Sequence, residues 1–137
     1  MNDAVLSKKE SLERCIHQIR EYYQTPSSKP FLDDYMKQDA IASNLQRACE
    51  ICIDLANMTI RKKKLGNPKE SRESFLILEK EKIISAQLSK NLCAMVGFRN
   101  ILVHEYQEME LAIMEDVIQN HLDELIDYTN LILKQFI

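Results

Sequence analysis

Arg99, Asn100, His104 and Tyr106 stand close together in GFRNILVHEY, residues 97–106. Histidine titrates near neutral pH and can take or give a proton, and arginine presents a planar fork of donors that matches a phosphate. Together they suit cleavage of a phosphodiester without a metal. The histidine would deprotonate a ribose 2′-hydroxyl or protonate the leaving oxygen, and the arginine would hold the charge that builds in the transition state. An arginine and a histidine five residues apart are equally compatible with an ion-paired arginine and a hydrogen-bonded core histidine. On spacing alone, that plainer assignment is the commoner one.

Position sharpens the question. Leu88, Leu92 and Met95 form a helical stripe that continues, at spacings of four and three, to Arg99, Leu102 and Tyr106. Arg99 therefore occupies a place where the pattern calls for an apolar side chain. An unpaired guanidinium is costly to bury, so this position must meet an anion, a carboxylate or an open cleft. Asn100 and His104 are four apart and share the adjoining face. Arg99 and His104 lie about 140° apart on an ideal helix, so the arginine's long reach has to bring them together.

The elements that must position these residues are helices. Val5, Leu12, Ile16, Ile19 and Tyr23 predict a first helix over residues 4–24, ended by TPSSKP at 25–30. A second should run from Asp33 to Lys64 on the core line Ile41, Leu45, Ala48, Cys52, Leu55 and Thr59, with Gly66 as its stop. SRESFLILEKEKII, residues 71–84, predicts a third helix capped by Ser71. Ser85 is the expected cap of the fourth, which carries the site. A fifth, long helix over 109–137 should turn Leu111, Met114, Ile118, Leu122, Leu125 and Ile132 inward. The expected fold is all-α, an antiparallel bundle of four to five helices in a single domain spanning 1–137.

Composition narrows the function. Two glycines in 137 residues cannot build a P-loop, a dinucleotide fingerprint or the Gly-Ser loop of a nucleotidyltransferase. The formal net charge of −3 argues against indiscriminate coating of nucleic acid, though not against a local basic cleft. No apolar run has signal-peptide or membrane-spanning length, so the cytoplasm is the expected location and the four cysteines read as free thiols. Cys49 and Cys52 form a CxxC without the second pair that a zinc site needs, and a helical core accounts for both. No metal or other cofactor is expected.

The motif RNILVHEY resembles the Arg-x4-His-x-Tyr signature of the HepT-like toxins, all-helical ribonucleases of the HEPN superfamily. The likeness extends through NLQRACEICIDLAN, Gly66, Pro68, SRESFLILEKEKII and LCAMVGFRNILVHEY, covering about residues 33–125. The resemblance implies a toxin–antitoxin endoribonuclease in which Arg99 and His104 are catalytic and Asn100 supports them. It implies that Tyr106 accepts AMP from an MNT-type nucleotidyltransferase antitoxin, and that a homodimer forms a composite site on the RNA substrate. It also implies a metal-independent reaction that leaves a 2′,3′-cyclic phosphate. The rival reading is a HEPN relative without catalysis that serves as helical partner of a nucleotidyltransferase. A third is a plain helical scaffold.

Ser43, Arg47, Glu50, Asp54, Asn57 and Arg61 form a polar line on the second helix, and most such lines are solvated faces. Asp54, set between Ile53 and Leu55, is the expected supporting residue, pairing with Arg99 or orienting His104. The basic run 61–64 reads as a helix end complementing its dipole, and His121 as a core or interface histidine on the last helix.

Overall fold

The computed structural model describes residues 3–104 and 111–137; of residues 103 and 104 only the backbone is described. Six α-helices and one 3-10 turn appear among the described residues, and no strand. Helix α1 is Asp3–Gln24, and a 3-10 turn at Phe31–Asp33 leads into α2, Tyr35–Lys63. Helix α3 is Ser71–Lys80, α4 is Ala86–His104, α5 is Leu111–Asn120 and α6 is Leu122–Lys134. None of these helices is long and apolar enough to cross a membrane.

Helix α2 sits at the centre and packs against α1, α3, α4 and α6. Its 29 residues bury the expected line from Ile41 to Thr59 in full. Lys8 pairs with Asp54, and Cys15 lies beside Arg47, so α1 and α2 run antiparallel. Arg20 on α1 meets Asp123 on α6 at 2.6 Å, and the Tyr23 hydroxyl accepts from Gln119 on α5 at 2.9 Å. The core collects Leu12, Ile16 and Ile19 of α1, Phe75 and Leu78 of α3, Leu92 and Phe98 of α4, and Met114, Leu125 and Ile132 of the last two helices.

Three boundaries differ from expectation for local reasons. The long fifth helix is two helices, because His121 adopts φ −122° and ψ −5° between them. Its ring lies 3.2 Å from Asp116 Oδ2 and 3.1 Å from Glu124 Oε1, while Asn120 donates to Asp116 at 2.7 Å. Asp123 and Glu124 then occupy the first turn of α6, where acidic groups favour a helix start. His121 is thus a partly exposed joint between helices rather than a core residue. The second correction is the end of α2. Lys64, at φ 55°, takes the left-handed position ahead of Gly66, and the Leu65 amide closes back on the Ile60 carbonyl at 3.0 Å. The run Arg61–Lys63 does complement the helix dipole in that last turn. Third, Ser71 is the first residue of α3 and Glu70 its N-cap, without a side-chain capping bond. Ser85 behaves as expected, its Oγ accepting from the Leu88 amide at 3.1 Å.

Tyr128 is fully buried and fixes α6 against α2, its hydroxyl donating to the Cys52 carbonyl at 2.9 Å. Its ring meets Phe75 of α3 edge-on, with centroids 6.0 Å apart. Tyr128→Phe keeps the ring contact and removes only that hydrogen bond. It should lower the unfolding free energy by about 1 kcal/mol, read from the urea midpoint. A loss within error would mean that the phenol contributes packing alone.

Candidate functional site

Helix α4 carries the candidate residues, and its burial shows why it holds still. Leu92, Met95, Val96, Phe98 and Leu102 are all buried, together with Ser89, so the helix is covered on more than one side. Cys49, Cys52 and Ile53 of α2 face Leu92, Met95 and Val96 across this contact. The helix continues through His104, so the register that places Arg99, Asn100 and His104 on one stretch is kept.

Arg99 does occupy the apolar stripe. Its Nε is buried and has no hydrogen-bond partner among the described residues, while the residue as a whole keeps partial exposure. With the exposed Asn100 it lines a pocket of about 220 Å³, bounded also by Val96 of α4 and by Glu70, Ser71 and Arg72 at the start of α3. The structure therefore brings Arg99 and Asn100 to one opening. The side chain of His104, and Tyr106 with the Gln107–Glu110 connection, lie outside the described residues.

Asp54 is elsewhere. Its carboxylate faces α1, 3.2 Å from Lys8 Nζ, and its side chain is 53% exposed. The expected pairing with Arg99 is not made. The α2 residues that face α4 are Cys49, Cys52 and Ile53, and one further residue turns Asp54 by about 100° out of that contact. Ser43, Arg47, Glu50 and Arg61 are likewise exposed. Asn57 departs from the solvated line, accepting from the buried Ser74 of α3 at 2.6 Å.

Electrostatics at the back of the site come from a thiol rather than a carboxylate. Burial pushes the Cys49 thiol up to about 12, and the nearby Arg99 guanidinium pulls it partly down. Burial also raises Cys52 and Tyr128 well above their ordinary ranges. All three groups stay neutral at physiological pH. Among the described residues there is no cluster of three His, Cys, Asp or Glu side chains arranged to hold a metal. The pocket thus offers guanidinium and amide donors to whatever enters it, and the groups suited to it are anionic oxygens.

A family profile described as Ribonuclease HepT-like matches residues 12–132. The chain belongs to the HepT-like ribonuclease family. It is 43% identical over 132 residues to the mRNA nuclease HepT of Shewanella oneidensis, covering 96% of this chain and 98% of that protein. A more distant relative, the tRNA nuclease HepT of Aphanizomenon flos-aquae, is 34% identical over 83 residues, covering 58% of this chain and 56% of that one. The solved structure of the tri-AMPylated Shewanella oneidensis HEPN toxin in complex with its MNT antitoxin superposes with a TM-score of 0.91 at 42% identity, covering 98% of this chain and 99% of that one. A toxin–antitoxin structure with AMP-PNP gives 0.90 at 41% identity, covering 97% of this chain and 99% of that one.

Arg72 is the pocket residue that the motif did not reveal, since it lies outside the Arg-x4-His stretch and reaches the pocket only through the packing of α3 on α4. The buried acids have a consequence that can be measured. A thiol held protonated by the fold, with its folded value near 12 against about 9 when unfolded, stabilises the protein fully below pH 9 and loses that contribution as pH rises towards 12. Cys52 and Tyr128 act in the same direction. The urea midpoint of this HepT-like protein should therefore fall between about pH 9 and about pH 11, and by less in Cys49→Ala. Equal slopes for the two proteins would contradict the assignment to Cys49.

Proposed function

We propose that this chain is the toxin of a HEPN/MNT-type toxin–antitoxin pair, a single HEPN-like domain that cuts RNA in the cytoplasm without a metal. The observation that carries this reading is Arg99: a guanidinium set into an apolar seam, open to a pocket beside Asn100, on a helix that runs through His104. The near full-length likeness to an mRNA nuclease supports it. Arg99 holds the scissile phosphate and neutralises the charge gathering on its oxygens, and Asn100 orients the same group. His104 takes the 2′-hydroxyl proton. The 2′-oxygen then bonds to phosphorus, the bond to the 5′-oxygen breaks, and a 2′,3′-cyclic phosphate remains. The leaving oxygen needs a proton in turn, and a second copy of the chain brings a second histidine to the same cleft. Single-stranded or looped RNA is the substrate class, because an unstacked nucleotide can reach in-line geometry.

Unmodified protein should cleave RNA in the presence of EDTA. Arg99→Ala and His104→Ala should each lower kcat/KM by at least about a hundredfold with unchanged circular dichroism. Cleavage that survives both substitutions would remove the catalytic assignment, and a monomer with full activity would remove the composite site.

Control rests on the sequence position of Tyr106. Tyr106 stands two residues beyond His104, and AMP on its phenol would add a phosphodiester anion near Arg99 that competes with RNA for the arginine fork. A relative whose complex with an MNT antitoxin contains a tri-AMPylated toxin supports this. Co-expression with the cognate nucleotidyltransferase should add AMP increments to the intact mass and abolish cleavage. Increments that persist unchanged in Tyr106→Phe would place the modification on another residue.

A further inference from the structure

The pocket beside Arg99 contains a second arginine from another helix. Arg72 lies in the first turn of α3, is exposed, and donates from Nε to the Cys93 carbonyl of α4 at 3.4 Å. Its guanidinium lies across α4 at Gly97, where a Cβ would stand 2.9 Å from Arg72 Nη2. Gly97 makes no turn, for α4 continues to His104, and it is not among the residues with positive φ. Its backbone freedom is unused. A Cβ there would press on the far end of the flexible Arg72 side chain, which can shift at little cost, so the missing side chain lets the guanidinium lie close to α4 without being required for it. Two residues further on, Arg99 opens to the same pocket.

We propose that Arg72, lying across α4 over Gly97, is a substrate-positioning residue that binds an RNA phosphate neighbouring the one held by Arg99. The proposal rests on the ribonuclease reading and extends it to the binding of the flanking backbone. The pocket's charge fits this use, with guanidinium groups from two helices against the single carboxylate of Glu70. Glu70 stands at the N-cap of α3 without a side-chain capping bond. Arg72 reaches the phosphate rather than the bond being broken, so its loss falls on binding more than on the chemical step.

The test combines steady-state cleavage of a short fluorescent single-stranded RNA with anisotropy binding of that RNA in the inactive His104→Ala background. Arg72→Ala should raise KM on the order of tenfold while kcat changes by less than about twofold, and Arg72→Lys should recover part of the loss. The slope of log affinity against log salt should shrink by about 0.7, the share of one phosphate contact on a single strand. Gly97→Ala supplies the readout that a merely structural role would not give. It should raise the melting temperature, because alanine favours a helix, yet shift the Arg72 guanidinium and raise KM by less than Arg72→Ala does. In the double variant it should add no further loss. An unchanged KM and salt slope in Arg72→Ala, with wild-type protein cutting RNA, overturns the role of Arg72 alone. A Gly97→Ala effect that persists in full without Arg72 overturns the link between the two residues. Wild-type protein that neither binds nor cuts RNA overturns the ribonuclease reading, and the subsite with it.

Discussion

Helix α2 has to satisfy four neighbours at once, and the rest of the molecule follows from that requirement. Its buried face wraps more than half of its circumference, from Ile41 and Leu45 through Cys49, Cys52 and Ile53 to Ile60. Only small side chains let several helices approach one helix so closely, which is why Ala48, Ala56 and two cysteines occupy its middle. Tyr128 bonds to its backbone from one side, Ser74 to its Asn57 from another, and α4 lies across Cys49 and Cys52. The seat of Arg99 is a product of this packing. Its guanidinium lies close enough to the neutral Cys49 thiol to pull on its titration.

That arrangement reconciles an acidic chain with a role on nucleic acid. The whole molecule carries a formal charge of −3, too little positive charge to gather RNA from a distance. Affinity must then be local, resting on a few well-placed donors beside a pocket, and recognition should depend on the fit of individual phosphates more than on bulk attraction. Many acidic groups are engaged elsewhere. Asp54 binds Lys8, Asp123 binds Arg20, and Asp116 and Glu124 flank His121.

The fold was legible wherever periodicity decided it. The inward line of α2 and that of α1 from Val5 to Ile19 are buried as their spacing requires, with Tyr23 only partly so, and Ser85 caps α4. The misreadings share one cause, because periodicity measures a face and is blind to short-range geometry. The stripe from Met114 to Ile132 runs unbroken through His121, although the Asn-His followed by Asp-Glu marks a new helix start inside it. Asp54 meets Lys8 instead of Arg99, because a polar line tells which residues share a helix face and not which neighbour that face meets. Arg99 was legible as an anomaly, a cation in an apolar row. Arg72 was not, since its place depends on where α3 crosses α4. Gly97 alone hinted at that crossing, as a glycine inside a helix with no bend to justify it.

The thiols of Cys15, Cys49 and Cys52 lie in the core at 2–3% exposure. Oxidants reach such sulfurs only when the chain opens, and an oxidised sulfur is too large and too polar to be repacked. Folded protein is therefore sheltered from peroxide, whereas a molecule caught open under oxidising conditions cannot return. Refolding and oxidation compete for the same transient species, so the lifetime of the active pool in a stressed cell is set by how often the bundle opens rather than by the exposure of its surface.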